Sequence, residues 1–489
     1  MRSVLVSLIQ LGGMQVVIAL TAVVRNKVLA YRLGAEGYGE FSQVALIALS
    51  VSVVVAFGLA LSLNRNVAAA ADSEERQRLL SQANGVNLSL AAFFAVVGVP
   101  LVLLDPALVG AAGLEPTPMV VASLLILVLF VPLDAAVKHR VAFLTAILDI
   151  AGMTSGRSLA LAIGTAVTLP VVWFFGLVGA AVQLTLLTGT ILVFLDRRCR
   201  QIGYRPWGIA FDWRVVRYLA GFGLASLTAG FAQQFSDLLV RSSLIRTVDA
   251  AQNGIYQSAL SITYQVRAIV LGSVGSYSIA TLSQDASREK VIETANRLLS
   301  VVLPIGTVAL ALLGLLSGPA ILILYSPEFL SAQRVLPFLI AADYLMVTIW
   351  VMGAPLLATD RKAVWLTLEL VFAGVRSAAA LLLIPRIGVM GVALGYAVGT
   401  AVHLVLTGGY FFGVFRYTVS LRNAGLFLMG GVVLALMAFA GSQVVLDLRV
   451  QGAGVALLAA YGLLCLHVVV GVPAAWASVR RSLHRKAGS

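Results

Sequence analysis

Arg25-Asn26-Lys27-Val28-Leu29-Ala30-Tyr31-Arg32-Leu33-Gly34-Ala35-Glu36-Gly37-Tyr38-Gly39-Glu40-Phe41-Ser42 is the stretch that decides the fold. It closes an apolar run of membrane length and leads, through a glycine-rich turn, into another. Arg25, Lys27 and Arg32 gather at the end of the first run that the charge distribution elsewhere leaves poor in cations. A second copy follows about 215 residues on: Gly254-Ile255-Tyr256-Gln257 resembles Gly39-Glu40-Phe41-Ser42, and Arg241 stands where Arg25 does.

Outward from this pair, the chain is 489 residues long, 60% hydrophobic and 11% charged, with mean hydropathy +0.98. Soluble domains run at about 45–50% apolar and about 25% charged. Apolar runs of about 20 residues recur from end to end, as in membrane-spanning helices; a barrel would show short alternating segments. The expectation is an all-α polytopic membrane protein with about fourteen transmembrane helices. The runs fall at 4–31, 40–63, 83–104, 118–137, 141–168, 176–195, 218–245, 253–282, 294–316, 335–358, 364–384, 388–415, 424–446 and 452–476. The first run has no cleavage site and reads as a retained span rather than a signal peptide.

The net charge of +13 would suit nucleic acid if it were clustered, but it is spread among short connections, as loop bias in a membrane protein is. Alternate connections, starting from the N-terminus, carry 22 Lys and Arg on one side and 5 on the other, which predicts both termini in the cytoplasm. Lys138 and Arg140 are counted there as connection residues. Of the hydrophilic segments, 72–80 reads as a surface helix with Ser73 as N-cap, and Asp285–Ile292 has the same character.

Two internal halves emerge from spacing. Gly176-Leu177-Val178-Gly179-Ala180-Ala181 matches Gly388-Val389-Met390-Gly391-Val392-Ala393 at 212 residues, the separation that also relates Ala83-Asn84 to Ala295-Asn296. The predicted organisation is a six-helix lobe over 1–200, its repeat over 201–416, and two further helices with a basic cytoplasmic tail over 417–489. Six spans is an even number, so the two lobes are pseudo-symmetric about an axis along the membrane normal, with a site between them.

Cations inside the membrane carry the most information. Each costs roughly 2.5–3.5 kcal/mol at the bilayer centre, so Arg157, Arg267 and Arg376 must face protein, water or a ligand. Internal pairing is one reading: Asp237 precedes Arg241 by four residues, Glu369 precedes Arg376 by seven, and Asp149 is near Arg157. Arg25 and Lys27 can snorkel to the outer headgroups. The alternative is a cationic cavity for phosphate or diphosphate, whose oxygens the planar guanidinium bonds in pairs. On that reading the anion is held mainly by the second lobe, with the first helix closing on it.

Gly391, Gly395 and Gly399 form a small-residue row for helix packing, and His403 in the same run reads as a packed or bonded histidine. There is no phosphate-binding loop, H-E-x-x-H or C-x-x-C, and Cys199 and Cys465 stand apart. Neither metal nor other cofactor is expected. The connections are too short for a catalytic domain, which weighs against a glycosyltransferase or polymerase.

The Leu33–Ser42 turn, the Ile384–Ala393 segment and the Gly254–Leu260 echo resemble the polysaccharide-biosynthesis (Wzx-type) flippases. That family belongs to the multidrug/oligosaccharidyl-lipid/polysaccharide exporter superfamily. The resemblance implies a V-shaped two-lobe bundle in the bacterial cytoplasmic (inner) membrane. It would move a polyprenyl-diphosphate-linked oligosaccharide between leaflets by alternating access, beside glycosyltransferases and a polysaccharide polymerase. It also implies a non-enzymatic protein with basic cavity residues, here Arg25, Lys27, Arg157, Arg241, Arg267 and Arg376. Coupling to H+ or Na+ would fall to Asp149, Asp237 or Glu369. Lipid II flippases are similar, but their first-helix turn differs from Arg32–Glu40. A multidrug or cation antiporter of this fold would want carboxylates in a first span that has none.

Overall fold

The computed structural model describes residues 2–271, 287–359, 361–443 and 447–470, with positions 278, 281 and 282. The ends of the 253–282 and 452–476 spans, the start of the Asp285–Ile292 helix and the basic tail after residue 470 lie outside the described residues. Among the described residues the architecture is all-helical. The chain runs through α1 (Arg2–Val55), α2 (Leu59–Ala69), α3 (Ser73–Leu104), α4 (Pro106–Ala111), α5 (Pro118–Ala146), α6 (Ile150–Gln201), α7 (Trp213–Thr247) and α8 (Ala250–Leu271). It continues through α9 (Arg288–Leu315), α10 (Ser317–Leu324), a 3-10 segment (Pro327–Arg334), α11 (Leu336–Ala358), α12 (Lys362–Ile387), α13 (Val389–Phe415), α14 (Leu421–Gln443) and α15 (Leu448–Val470). Ten helices among the described residues are long and apolar enough to cross a membrane, and up to eleven if the bent pair within α7 is one span. This is a multi-pass membrane protein.

Two of these helices are too long for one crossing. At 1.5 Å per residue, the 54 residues of α1 and the 52 of α6 would extend about 80 Å, against a hydrocarbon core of about 30 Å. Each breaks at a glycine, Gly34 (φ 66, ψ −175) in α1 and Gly176 (φ 54, ψ −126) in α6. Gly388, between α12 and α13, adopts nearly the Gly176 conformation (φ 57, ψ −134). All three need the left-handed φ that a Cβ disfavours.

One boundary differs from the sequence expectation. Lys138 and Arg140 are not in a connection: α5 continues to Ala146, and the chain turns at Leu148 (φ 62) before Asp149 caps α6. Arg140 can stay in the helix because each nitrogen of its guanidinium donates to a protein oxygen. Its Nε donates to Asp196 Oδ1 (2.9 Å), Nη1 to Asn84 Oδ1 (2.7 Å) and Nη2 to the Pro206 carbonyl, and it is 0% exposed. Lys138 pairs with Asp134 one turn earlier (2.7 Å). The cap of α3 also shifts by one residue: Asp72, not Ser73, accepts from the Glu75 amide (2.8 Å), while Glu75 accepts from the Ala71 amide (3.0 Å).

The helices pack as two compact units. The first holds residues 1–261, 321–335 and 361–403, and the second 262–320, 336–360 and 404–489. Within the first, α6 packs on α5 and α1, and α12 on α7; within the second, α9 packs on α11, α14 and α15. Small residues set the closest approaches. A Cβ added to Gly39 would lie 1.8 Å from the Ala250 carbonyl oxygen, and one added to Gly254 would lie 2.1 Å from that of Ala35. Gly391, Gly395 and Gly399 press on Leu383–Ile384, Ala380 and Arg376, the packing role their spacing predicts.

Candidate functional site: a cationic cluster at the first helix break

The break at Gly34 is covered by a segment nearly 300 residues away, all within the first unit. The Ala35 amide, an orphan donor at the restart of the helix, donates to Glu328 Oε2 (3.1 Å). Asn26 Nδ2 donates to the Tyr325 hydroxyl (3.1 Å). Lys27 Nζ donates to the carbonyls of Leu322 (2.6 Å) and Tyr325, a cation placed at the C-terminal end of α10 where the helix dipole favours it. Tyr38, Tyr325 and Phe329 then pack as an aromatic cluster, with centroids 5.2–5.7 Å apart. The Tyr38 and Tyr325 hydroxyls interact with each other and with Ser261. Burial pushes the Tyr325 phenol well above its ordinary value, so it remains a neutral hydrogen-bonding group.

Arg25 faces this cluster. It is half-buried, within electrostatic reach of Tyr38 and Tyr325, and among the described residues it has neither a hydrogen-bond nor an ion-pair partner. Tyr38 is also within electrostatic reach of Arg241. Arg241 is buried and held by neutral groups: Nε donates to Asn253 Oδ1 (2.8 Å), Nη1 to Gln257 Oε1 (3.0 Å) and Nη2 to Ser42 Oγ. Asn253 Nδ2 in turn donates to the Gly39 carbonyl (2.8 Å), which ties the Gly39–Gly254 crossing to the arginine.

Arg376 continues the cluster along α7 and α12. Its Nε donates to Ser236 Oγ (2.8 Å), and its Nη2 to Asp237 Oδ1 (2.7 Å) and the Gln233 carbonyl (3.1 Å). Glu369 accepts from Gln233 Nε2 (3.0 Å) and has no ion pair among the described residues. His403 stacks on Phe372, 5.2 Å between centroids, and Phe372 also lies under Arg376.

The expected partners are therefore exchanged. Asp237 pairs with Arg376 on another helix, not with Arg241 one turn away. Asp149 makes a two-pronged pair with Arg198 (2.6 and 2.8 Å), not with Arg157, which lies half-buried on α6. Arg267 belongs to the second unit, where it pairs with Asp343 and lies over the Tyr264 ring at 5.3 Å. The first unit thus brings together Arg25, Lys27, Arg241 and Arg376 with Asp237 and Glu369. It places Asp149 in a separate pair. Tyr38, Ser42, Asn253, Gln257 and Tyr325 were not named as site residues from the sequence. The echo that places Gln257 opposite Ser42 was the one signal for two of them.

No family model matches the chain, and no curated protein does. Solved structures of membrane transporters match over most of its length, and some of them are named as members of the MOP superfamily. One is the lipid II flippase MurJ in an inward closed conformation, at TM-score 0.75 and 12% identity over 95% of this chain and 98% of that one. Another is an inward-facing multidrug resistance transporter of the MATE family, at TM-score 0.68 and 14% identity over 88% and 98%. An outward-facing MATE transporter matches at TM-score 0.63 and 16% identity over 89% and 96%. At these identities the likeness shows the fold.

Proposed function

We propose that the protein is a flippase that moves a polyprenyl-diphosphate-linked oligosaccharide across the bacterial cytoplasmic membrane by alternating access, for cell-surface polysaccharide synthesis. The observation that carries this reading is Arg25, the cation of the cluster without a hydrogen-bond or ion-pair partner among the described residues, beside two hydroxyl-bearing aromatics and the polar network of Arg241. A diphosphate fits such a place, because it supplies the paired acceptor oxygens that a guanidinium lacks there. The sugars cross in water between two six-helix lobes, 1–200 and 201–416, while the prenyl tail stays in lipid. Helices 417–470 and a cytoplasmic tail complete about fourteen spans, with both termini in the cytoplasm. The glycines at 34, 176 and 388 support this count by dividing long helical stretches at span ends.

Arg241 and Arg376 position the site through their bonds to protein, Lys27 braces the Tyr325 segment, and Arg267 is bound within the second unit. Glu369, a carboxylate with a neutral partner, is the residue for H+ or Na+ coupling, ahead of Asp237 and Asp149. Glycosyltransferases supply the substrate and a polymerase consumes the product. A second reading, a lipid II flippase, is favoured by the match to MurJ along 95% of the chain. A multidrug antiporter is the third.

The experiment is transport of fluorescently labelled lipid-linked oligosaccharide, lipid II or a cationic dye in vesicles holding wild type or Arg25→Ala. Oligosaccharide flipping that Arg25→Ala abolishes is expected. Flipping of lipid II alone transfers the assignment to the second reading, and dye export without lipid movement to the third.

A further inference from the structure

A groove of about 720 Å³ lies in the first unit along the last turns of α6, away from the Arg25 cluster. One face of the helix lines it. Leu186, Val193, Arg197 and Arg200 recur at helical spacing on that face, and Trp207 closes the end. Leu186, Val193 and Trp207 are 48%, 65% and 53% exposed, as side chains facing a bilayer are. Arg197 and Arg200 are exposed too, and among the described residues neither has a hydrogen-bond or ion-pair partner. Both fall on the side of the membrane that the charge distribution assigns to the cytoplasm.

The wall of the groove is built rather than loose. Trp207 lies 5.6 Å from the Arg140 guanidinium, which is fully buried and also holds the Pro206 carbonyl. Asn84 Nδ2 donates to the carbonyls of Pro206 (2.7 Å) and Gly208 (2.8 Å), and Gln77 exchanges hydrogen bonds with the backbone of Arg205 in both directions. A tryptophan fixed at the end of an apolar track, with two exposed cations beside it and Asp196 of the same lining held by Arg140, has the layout of a lipid at the membrane–water boundary: acyl chain, interface, phosphate.

We infer that this groove binds one anionic phospholipid of the cytoplasmic leaflet, its phosphate between Arg197 and Arg200, its glycerol region against Trp207 and an acyl chain along Leu186 and Val193. Charge complementarity selects the occupant. A zwitterionic lipid would fill the apolar track equally and offer the same phosphate, but its ammonium group cancels the net charge that two guanidinium groups attract.

The test reconstitutes the full chain in bilayers containing brominated phosphatidylglycerol or brominated phosphatidylcholine and reads the quenching of Trp207 as the difference between wild type and Trp207→Phe. Half-quenching is expected at about a tenfold lower mole fraction of phosphatidylglycerol than of phosphatidylcholine. Arg197→Gln/Arg200→Gln should abolish that preference with an unchanged melting temperature, and Arg197→Lys/Arg200→Lys should retain part of it. Equal quenching by the two lipids, or a preference that survives in Arg197→Gln/Arg200→Gln, overturns the assignment.

Discussion

Gly39 and Gly254 meet backbone to backbone, and the contact is reciprocal: each lies against the alanine four residues before the other, Ala250 and Ala35. The same substitution on either helix therefore meets the same obstacle. Gly39→Leu or Gly254→Leu should lower the melting temperature in detergent, by an overpacking penalty of about 1–3 kcal/mol or more. Gly98→Ala, where an added Cβ meets nothing within 4 Å, should leave it unchanged or raise it.

The arginines of the cluster divide by what they hold. Arg25→Ala should reduce transport by about tenfold or more while leaving the melting temperature near wild type, because among the described residues it breaks neither a hydrogen bond nor an ion pair. Arg376→Ala should lose both. It strands Asp237, at the lower end of the roughly 3–5 kcal/mol typical of a broken buried pair, since the Asp237 side chain is 31% exposed. Arg376→Met/Asp237→Leu should recover much of the stability and none of the transport.

Arg140 offers the clearest stability test. Arg140→Ala should cost about 3–5 kcal/mol in unfolding, measured by thermal or denaturant melts, because Asp196 and the Asn84 carbonyl oxygen lose their donor inside the bundle. Arg140→Met/Asp196→Leu should be markedly more stable than the single variant.

Coupling can be assigned among three carboxylates. Glu369→Gln should remove the dependence of flipping on an imposed proton or sodium gradient, measured in vesicles. Asp149→Asn should not, and its loss of the partly exposed Arg198 pair should cost less than about 1 kcal/mol.

What the sequence made legible follows from the range of each interaction. Apolar runs report burial in lipid directly, so the helices were readable. Two pairs of positions separated by 212 residues make like contacts. Gly179 presses on Val171–Val172, and Gly391 on Leu383–Ile384; Asn84 donates to the Pro206 carbonyl, and Asn296 to that of Thr418 (3.3 Å). Charge pairing was not readable. Local spacing favours Asp237 with Arg241, but a helix crossing gives Asp237 to Arg376 and leaves Arg241 to amides and a serine. The turn at Leu148 was hidden for the same reason. Lys138-His139-Arg140 has the composition of a connection, and only Asp196 and Asn84, distant in sequence, make it tolerable within a helix.

The Gly34 break carries a consequence for biogenesis. Lys27 and the Ala35 amide find their partners 295 and 293 residues further along the chain. At about 20 residues per second, the fastest typical synthesis rate, those partners emerge about 15 s after the first helix has entered the membrane. Until then an ammonium group and an open helix end need water or another protein, so the opening helix is a natural client for an insertion chaperone.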